Sequence, residues 1–105
     1  MRILLDGCVP AGFRWELPGH QVWTAQELRL AGVDDGPLLD ALDGRFDLLV
    51  TVDKSLPQQQ VLSGRSFRLV ILRARSNRLA DLQALAPKRL TTIPSLAPGT
   101  ATEIF

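Results

Sequence analysis

Two aspartates, Asp6 and Asp53, each close a short apolar run and open a turn. The first run is Ile3-Leu4-Leu5, followed by Asp6-Gly7; the second is Leu48 to Val52, followed by Asp53-Lys54. If both runs are parallel strands of one sheet, both carboxylates emerge at its C-terminal edge, where open α/β sheets place their ligands. Acids converging there suit a hard divalent cation, which takes oxygen ligands and leaves the rest of its shell to water and substrate phosphate. Asp35 is the best third ligand, because it starts a helix that leads into the Asp53 strand; Asp34 is its rival. Each acid also has a plainer reading. Asp35 works as a helix N-cap, Asp6 as a turn former before glycine, and Asp53 as a strand-end acid or a cap for the next helix.

The elements that must position these acids follow from local pattern. The sequence predicts a strand over 2–5, then a short helix with Pro10 near its first turn, and a turn at Pro18-Gly19. A second strand is expected over 20–24, and a helical turn over 25–30 before Gly32. Asp34-Asp35-Gly36-Pro37 opens a helix with Leu38, Leu39 and Leu42 at helical spacing, stopped at Gly44. After the strand at 47–52, Ser55-Leu56-Pro57-Gln58 has the form of a capping box and predicts two helical turns reaching Leu62. A buried strand spans 67–72. An amphipathic helix runs from Arg78 to about Leu90, with Leu79, Leu82, Leu85 and Ala86 on one face. Residues 91–99 read as a connector, and 100–105 as a last edge strand. Alternating strands and helices predict a single α/β domain over 1–105, with a mostly parallel sheet covered by helices on both faces in three layers.

Composition bounds the function. A chain of 105 residues with 46% hydrophobic residues can build one core without cross-links. Cys8 is the one cysteine, so no intrachain disulfide and no Cys/His zinc spacing exists, and a reducing cytoplasm is the expected compartment. The opening Met1-Arg2-Ile3-Leu4-Leu5-Asp6 is too soon interrupted for a signal peptide, and no apolar stretch has the length of a spanning helix, so no membrane is expected. The net charge of +1 hides an asymmetry: residues 1–53 sum to −5 and residues 54–105 to +6. Five arginines and no acid lie between Arg65 and Arg78. An acidic pocket beside a basic rim suits a phosphodiester substrate, although arginines flanking a buried strand also serve simply to solubilise its ends. Arg73, Arg75 and Arg78 follow the 67–72 strand, with Arg75 or Arg78 placed to reach a phosphate backbone. Ser76 and Asn77 lie between them, as substrate contacts or as caps of the next helix. His20 reads as a surface-turn residue rather than a catalytic base, and Trp15 and Trp23 as packing residues rather than platforms for stacked bases. Cys8 reads as a small buried residue.

Three stretches carry a family resemblance. Ile3-Leu4-Leu5-Asp6-Gly7-Cys8-Val9-Pro10 resembles the opening of short PIN-like proteins, whose first strand ends in Asp, a polar pair and Leu/Val-Pro. Ala31-Gly32-Val33-Asp34-Asp35-Gly36-Pro37-Leu38-Leu39 resembles their Gly-x-x-Asp motif entering a helix, and Leu49-Val50-Thr51-Val52-Asp53-Lys54 resembles their Val-Thr-x-Asp strand end. The resemblance implies a PIN-like (Rossmann-like) fold and an endoribonuclease dependent on Mg²⁺ or Mn²⁺, with Asp6, Asp35 and Asp53 as the acidic site. It also implies an RNA substrate and the toxin role in a bacterial toxin–antitoxin pair, hence an antitoxin partner. Gly7 and Cys8 stand where relatives commonly have an acid or amide, and Ser55 where they often have a second Asp.

Two other readings follow from the same residues. One is a catalytically degenerate PIN-like module that binds RNA or a protein partner. The other is a phospho-receiver domain, disfavoured by Gly7 in place of an acidic pair and by the lack of a lysine ending an apolar strand near the C-terminus. The 91–105 segment, with Ile93, Leu96, Ile104 and Phe105, is a candidate surface for a partner or for a homodimer.

Overall fold

Buried side chains alternate along three strands between two separate apolar clusters. Ile3 and Leu5 of β1 (Arg2–Leu5), Leu48 and Val50 of β3 (Leu48–Thr51), and Val70 and Leu72 of β4 (Arg68–Leu72) enter one cluster. Leu4, Leu49, Leu69 and Ile71 enter the other. A strand points successive side chains to opposite faces, so near-continuous apolar runs mean a sheet covered on both sides. The first cluster is closed by Phe13 from the 3₁₀ helix Ala11–Glu16, by Leu17 at that helix's C-cap, and by Leu82 from α3 (Leu79–Gln83). The second is closed by Leu38, Leu39 and Leu42 of α1 (Asp35–Leu42) and by Leu56 of the one-turn α2 (Leu56–Gln59). The result is a three-layer α/β fold.

The computed structural model describes residues 1–85 and 95–105. β2 (Gln21–Thr24) and β5 (Ala101–Ile104) complete a five-stranded sheet of order β2-β1-β3-β4-β5. Every pairing is parallel, with Leu5 beside Thr24 and Val50, and Thr51 beside Ile71. The chain moves outward from β1 to β2, then crosses through α1 to β3 on the other flank of β1. That reversal makes the β1/β3 boundary the topological switch point, where crevices open beyond the strand ends.

Several local expectations change. The Ser55 capping box does not form: Ser55 itself has helical backbone and makes no side-chain cap bond, and α2 stops at Gln59 rather than Leu62. Its hydroxyl donates to Asp53 Oδ1 at 2.6 Å, a charge-assisted bond that holds the side chain on that carboxylate. Asp34, not Asp35, occupies the N-cap of α1, and it too makes no side-chain cap bond. Ile104 is 7% exposed and belongs to the core, because β5 pairs with β4; of the large apolar residues described at that end, Phe105 is the exposed one. The expected continuation of α3 through Ala86 to Leu90, the start of the connector, and Ile93 lie outside the described residues. Trp23 packs edge-on against Phe46 with ring centroids 5.5 Å apart, whereas Trp15 is 80% exposed and does not pack in the core.

Candidate active site at the β1/β3 switch point

β1 and β3 end side by side, and their continuing chain carries Asp6 and Asp53. The Asp6 amide donates to Val50 O at 2.9 Å, which extends the β1–β3 ladder by one rung and fixes Asp6 at the edge. By strand alternation Asp6 and Thr51 fall on the face covered by α1, whose first residue is Asp35. The switch point therefore carries acids from three separate elements.

Thr51 joins two of them. Its side chain is fully buried, and its hydroxyl donates to Asp6 Oδ2 at 2.8 Å while accepting the Asp53 amide at 3.1 Å. One hydroxyl thereby holds one carboxylate directly and the other through its backbone. The second Asp6 oxygen accepts the Gly7 amide at 2.8 Å. Asp53 Oδ1 accepts the amide and hydroxyl of Ser55 at 2.9 and 2.6 Å, and among the described residues Asp53 Oδ2 has no hydrogen-bond donor. Cys8 Sγ lies 3.7 Å from Asp6 Oδ2 and 3.5 Å from Thr51 Oγ1. Burial pushes the Cys8 thiol above its ordinary value, and Asp6 adds to the rise, so Cys8 stays protonated at neutral pH and acts here as a weak donor.

Asp35 feels the whole cluster. Desolvation raises its pKa first, and the charges of Asp53, Asp6 and Asp34 raise it further. The three predicted acids thus share one electrostatic site. Their side chains are not drawn into a closed group: among the described residues no three His, Cys, Asp or Glu side chains converge tightly enough to hold an ion. Carboxylates at this range repel one another. The donors are hard oxygens, and the charge that raises Asp35 is the charge that a hard cation would neutralise, so the residues suit Mg²⁺ or Mn²⁺ in type.

The predicted substrate contacts separate into different surroundings. Arg73 pairs with Glu103 at 2.6 Å and lies over the Phe105 ring at 5.3 Å. Arg75 borders a cleft with Asp81, Ala84 and Leu85 on the side of α3. Arg78 is the N-cap residue of α3, and its amide donates to Ser76 Oγ at 3.0 Å. Asn77 reaches back to the site, with Nδ2 donating to Cys8 O at 3.3 Å. The basic run is partly structural: Arg65 binds Asp40 and Asp43, and Arg68 binds the carbonyls of Leu96 and Asp47. Sequence reasoning missed Thr51 as a linking residue, although its place two before Asp53 on a fully apolar strand was a usable signal. It also assigned no role to Lys54, which the fold places in a cleft beside Asp53.

Comparison with protein-family models, with curated proteins and with solved structures finds no match to this chain.

Proposed function

We propose that this protein is a metal-dependent endoribonuclease that hydrolyses RNA phosphodiester bonds at the β1/β3 switch point. The observation that carries the reading is the Thr51 link between Asp6 and Asp53, with the Asp35 pKa raised first by desolvation and then by the charges of both. Asp6, Asp35 and Asp53 would hold the Mg²⁺ or Mn²⁺ ion. The chemistry such an ion supplies when bound is a lowered pKa for a bound water and a polarised scissile phosphate. The chain's own contribution is placement and proton handling. Thr51 and Gly7 fix the two oxygens of Asp6, and Ser55 fixes one oxygen of Asp53, leaving the other open to the site. Asp35, with its raised proton affinity, is the carboxylate best suited to orient a water and accept its proton. The PIN-like resemblance extends the proposal to the toxin of a bacterial toxin–antitoxin pair, restrained by an antitoxin.

A second reading, a PIN-like module that binds RNA or a protein without cutting, is favoured by one observation. The three acids do not form a closed ion-holding group among the described residues, and Ser55 stands where a further acid would strengthen it. Incubating labelled RNAs with the protein in Mg²⁺ or Mn²⁺, and in EDTA, separates the two. Cleavage that needs the ion and disappears in Asp53→Asn supports the nuclease. A folded wild type that binds these RNAs yet leaves them intact in both ions supports the binding module.

A further inference from the structure

The C-terminal edge carries a second concavity, on the opposite side of β3 from the acids. The cleft, of about 320 Å³, opens between the ends of β3 and β4 and is lined by Val52, Lys54, Leu72, Arg73, Ser76 and Asn77. Val52 and Leu72 give it an apolar floor fixed by the core. No acid lines it. Its polar groups differ in how far they are committed. The Arg73 guanidinium is held in place by Glu103 and Phe105. The Asn77 amide is anchored on Cys8 O, with its second N–H unassigned. Ser76 is occupied, donating to Asp81 and accepting from the Arg78 amide. Lys54 is exposed and makes no hydrogen bond or ion pair among the described residues.

We propose that this cleft binds a backbone phosphate of a single-stranded nucleic acid, with Lys54 as its principal contact and Asn77 and Arg73 as fixed neighbours. The proposal rests on the nuclease reading for its biological sense and adds a substrate subsite to it. The placement follows from the sheet. The acids sit beyond β1 and β3, and the cleft sits beyond β3 and β4, so the two are offset by about one strand spacing of roughly 5 Å. Asp53 and Lys54 are consecutive, and they serve the two sites from one turn. A strand crossing the edge can then present one phosphate to the acids and another to Lys54. An ammonium with no partner among the described residues, beside an amide donor and a guanidinium already shared with Glu103, makes Lys54 the group that would take an anion here. An open cleft with a short apolar floor lets a chain enter and leave, which an enclosed pocket for free phosphate would not.

The test uses a fluorescein-labelled, 2′-O-methyl RNA oligonucleotide, which resists cleavage, and measures anisotropy in EDTA across a salt series. Lys54→Gln is expected to weaken binding about 5–10-fold and to reduce the slope of log K against log salt by about 0.7, the loss of one single-strand phosphate contact. Asn77→Ala is expected to weaken binding less. Arg45→Gln, which removes the same charge beside Phe46 at the other end of β3, serves as the control and is expected to bind like wild type. Binding by Lys54→Gln within twofold of wild type overturns the proposal, as does an equal loss in Arg45→Gln. Inorganic phosphate that binds the wild type while the oligonucleotide does not would also overturn it, leaving a free-anion site. Because no divalent ion is present, this outcome is independent of cleavage. Wild-type cutting with an unchanged KM in Lys54→Gln defeats the subsite alone, whereas Lys54-dependent binding without any cutting defeats the nuclease reading alone.

Discussion

Thr51→Val removes one oxygen from the centre of the proposed site while keeping the volume and branching that suit a buried strand. The hydroxyl donates to the Asp6 carboxylate at 2.8 Å and accepts the Asp53 amide at 3.1 Å. A hydrogen bond to a charged group contributes about 1.5–3 kcal/mol, and a buried donor left unsatisfied costs about 1–3 kcal/mol. Asp6 and Asp53 are only half-buried, so water recovers part of both, and we predict a net loss of about 2–3 kcal/mol. With a urea slope of roughly 1–2 kcal/mol/M, the unfolding midpoint should fall by about 1–3 M with the slope unchanged. Thr51→Ser keeps the hydroxyl and loses one buried methyl, a cost of about 1 kcal/mol. The order of stability is therefore wild type, then Ser, then Val. Equilibrium urea unfolding followed by circular dichroism measures it. A Val variant as stable as the Ser variant, or more stable, would refute the hydroxyl link as the device that holds the two acids.

Other predictions test the rest of the account. In EDTA, Asp35→Asn should be at least as stable as wild type, because it removes a carboxylate raised by desolvation and by three neighbouring acids; excess Mn²⁺ should reverse that order in a thermal melt, adding about 2.7 kcal/mol to wild type at a hundredfold excess over Kd. Asp47 is held below the usual carboxylate range, first by the Arg2 amide at 2.7 Å and then by the Arg2 side chain. A lowered folded pKa contributes stability above the ordinary carboxylate range that is lost as pH falls through the folded value. Asp47→Asn should therefore melt lower than wild type at pH 7, and a pH series should close the gap on the acid side. Gly99→Ala should cost at least about 1 kcal/mol by urea unfolding, since Gly99 has φ +76° and an added Cβ would lie 3.1 Å from Leu62 O. Trp15→Ser should leave the melting temperature within a degree or so, because the ring is 80% exposed.

The strands were legible because their signal is unambiguous: runs such as Leu48-Leu49-Val50 are apolar on both faces, and only a sheet covered twice buries them. The edge that gathers Asp6 and Asp53 followed directly from parallel pairing. Side-chain choices at turns were less legible, because they depend on which neighbouring groups the folded chain brings within reach. Ser55 has a capping-box spacing, yet its hydroxyl donates to Asp53 and accepts no cap bond from a helix amide. Trp15 and Ile104 were misjudged for a related reason. The 3₁₀ helix and its C-cap turn Phe13 and Leu17 inward and Trp15 outward, and Ile104 is buried by pairing with a strand some thirty residues earlier. The arginine run was legible as charge but not as role, since the partners of Arg65, Arg68 and Arg73 lie in distant segments.

The central claim is that Asp6, Asp35 and Asp53 together hold one divalent ion at the switch point. Mn²⁺ titration followed by electron paramagnetic resonance tests it directly, reading free ion against bound in wild type, Asp53→Asn and Asp35→Asn. The account predicts one site per chain in wild type, weakened at least tenfold by either substitution in proteins that melt cooperatively. Saturable binding that survives both substitutions, or no binding by wild type at millimolar Mn²⁺, would contradict it.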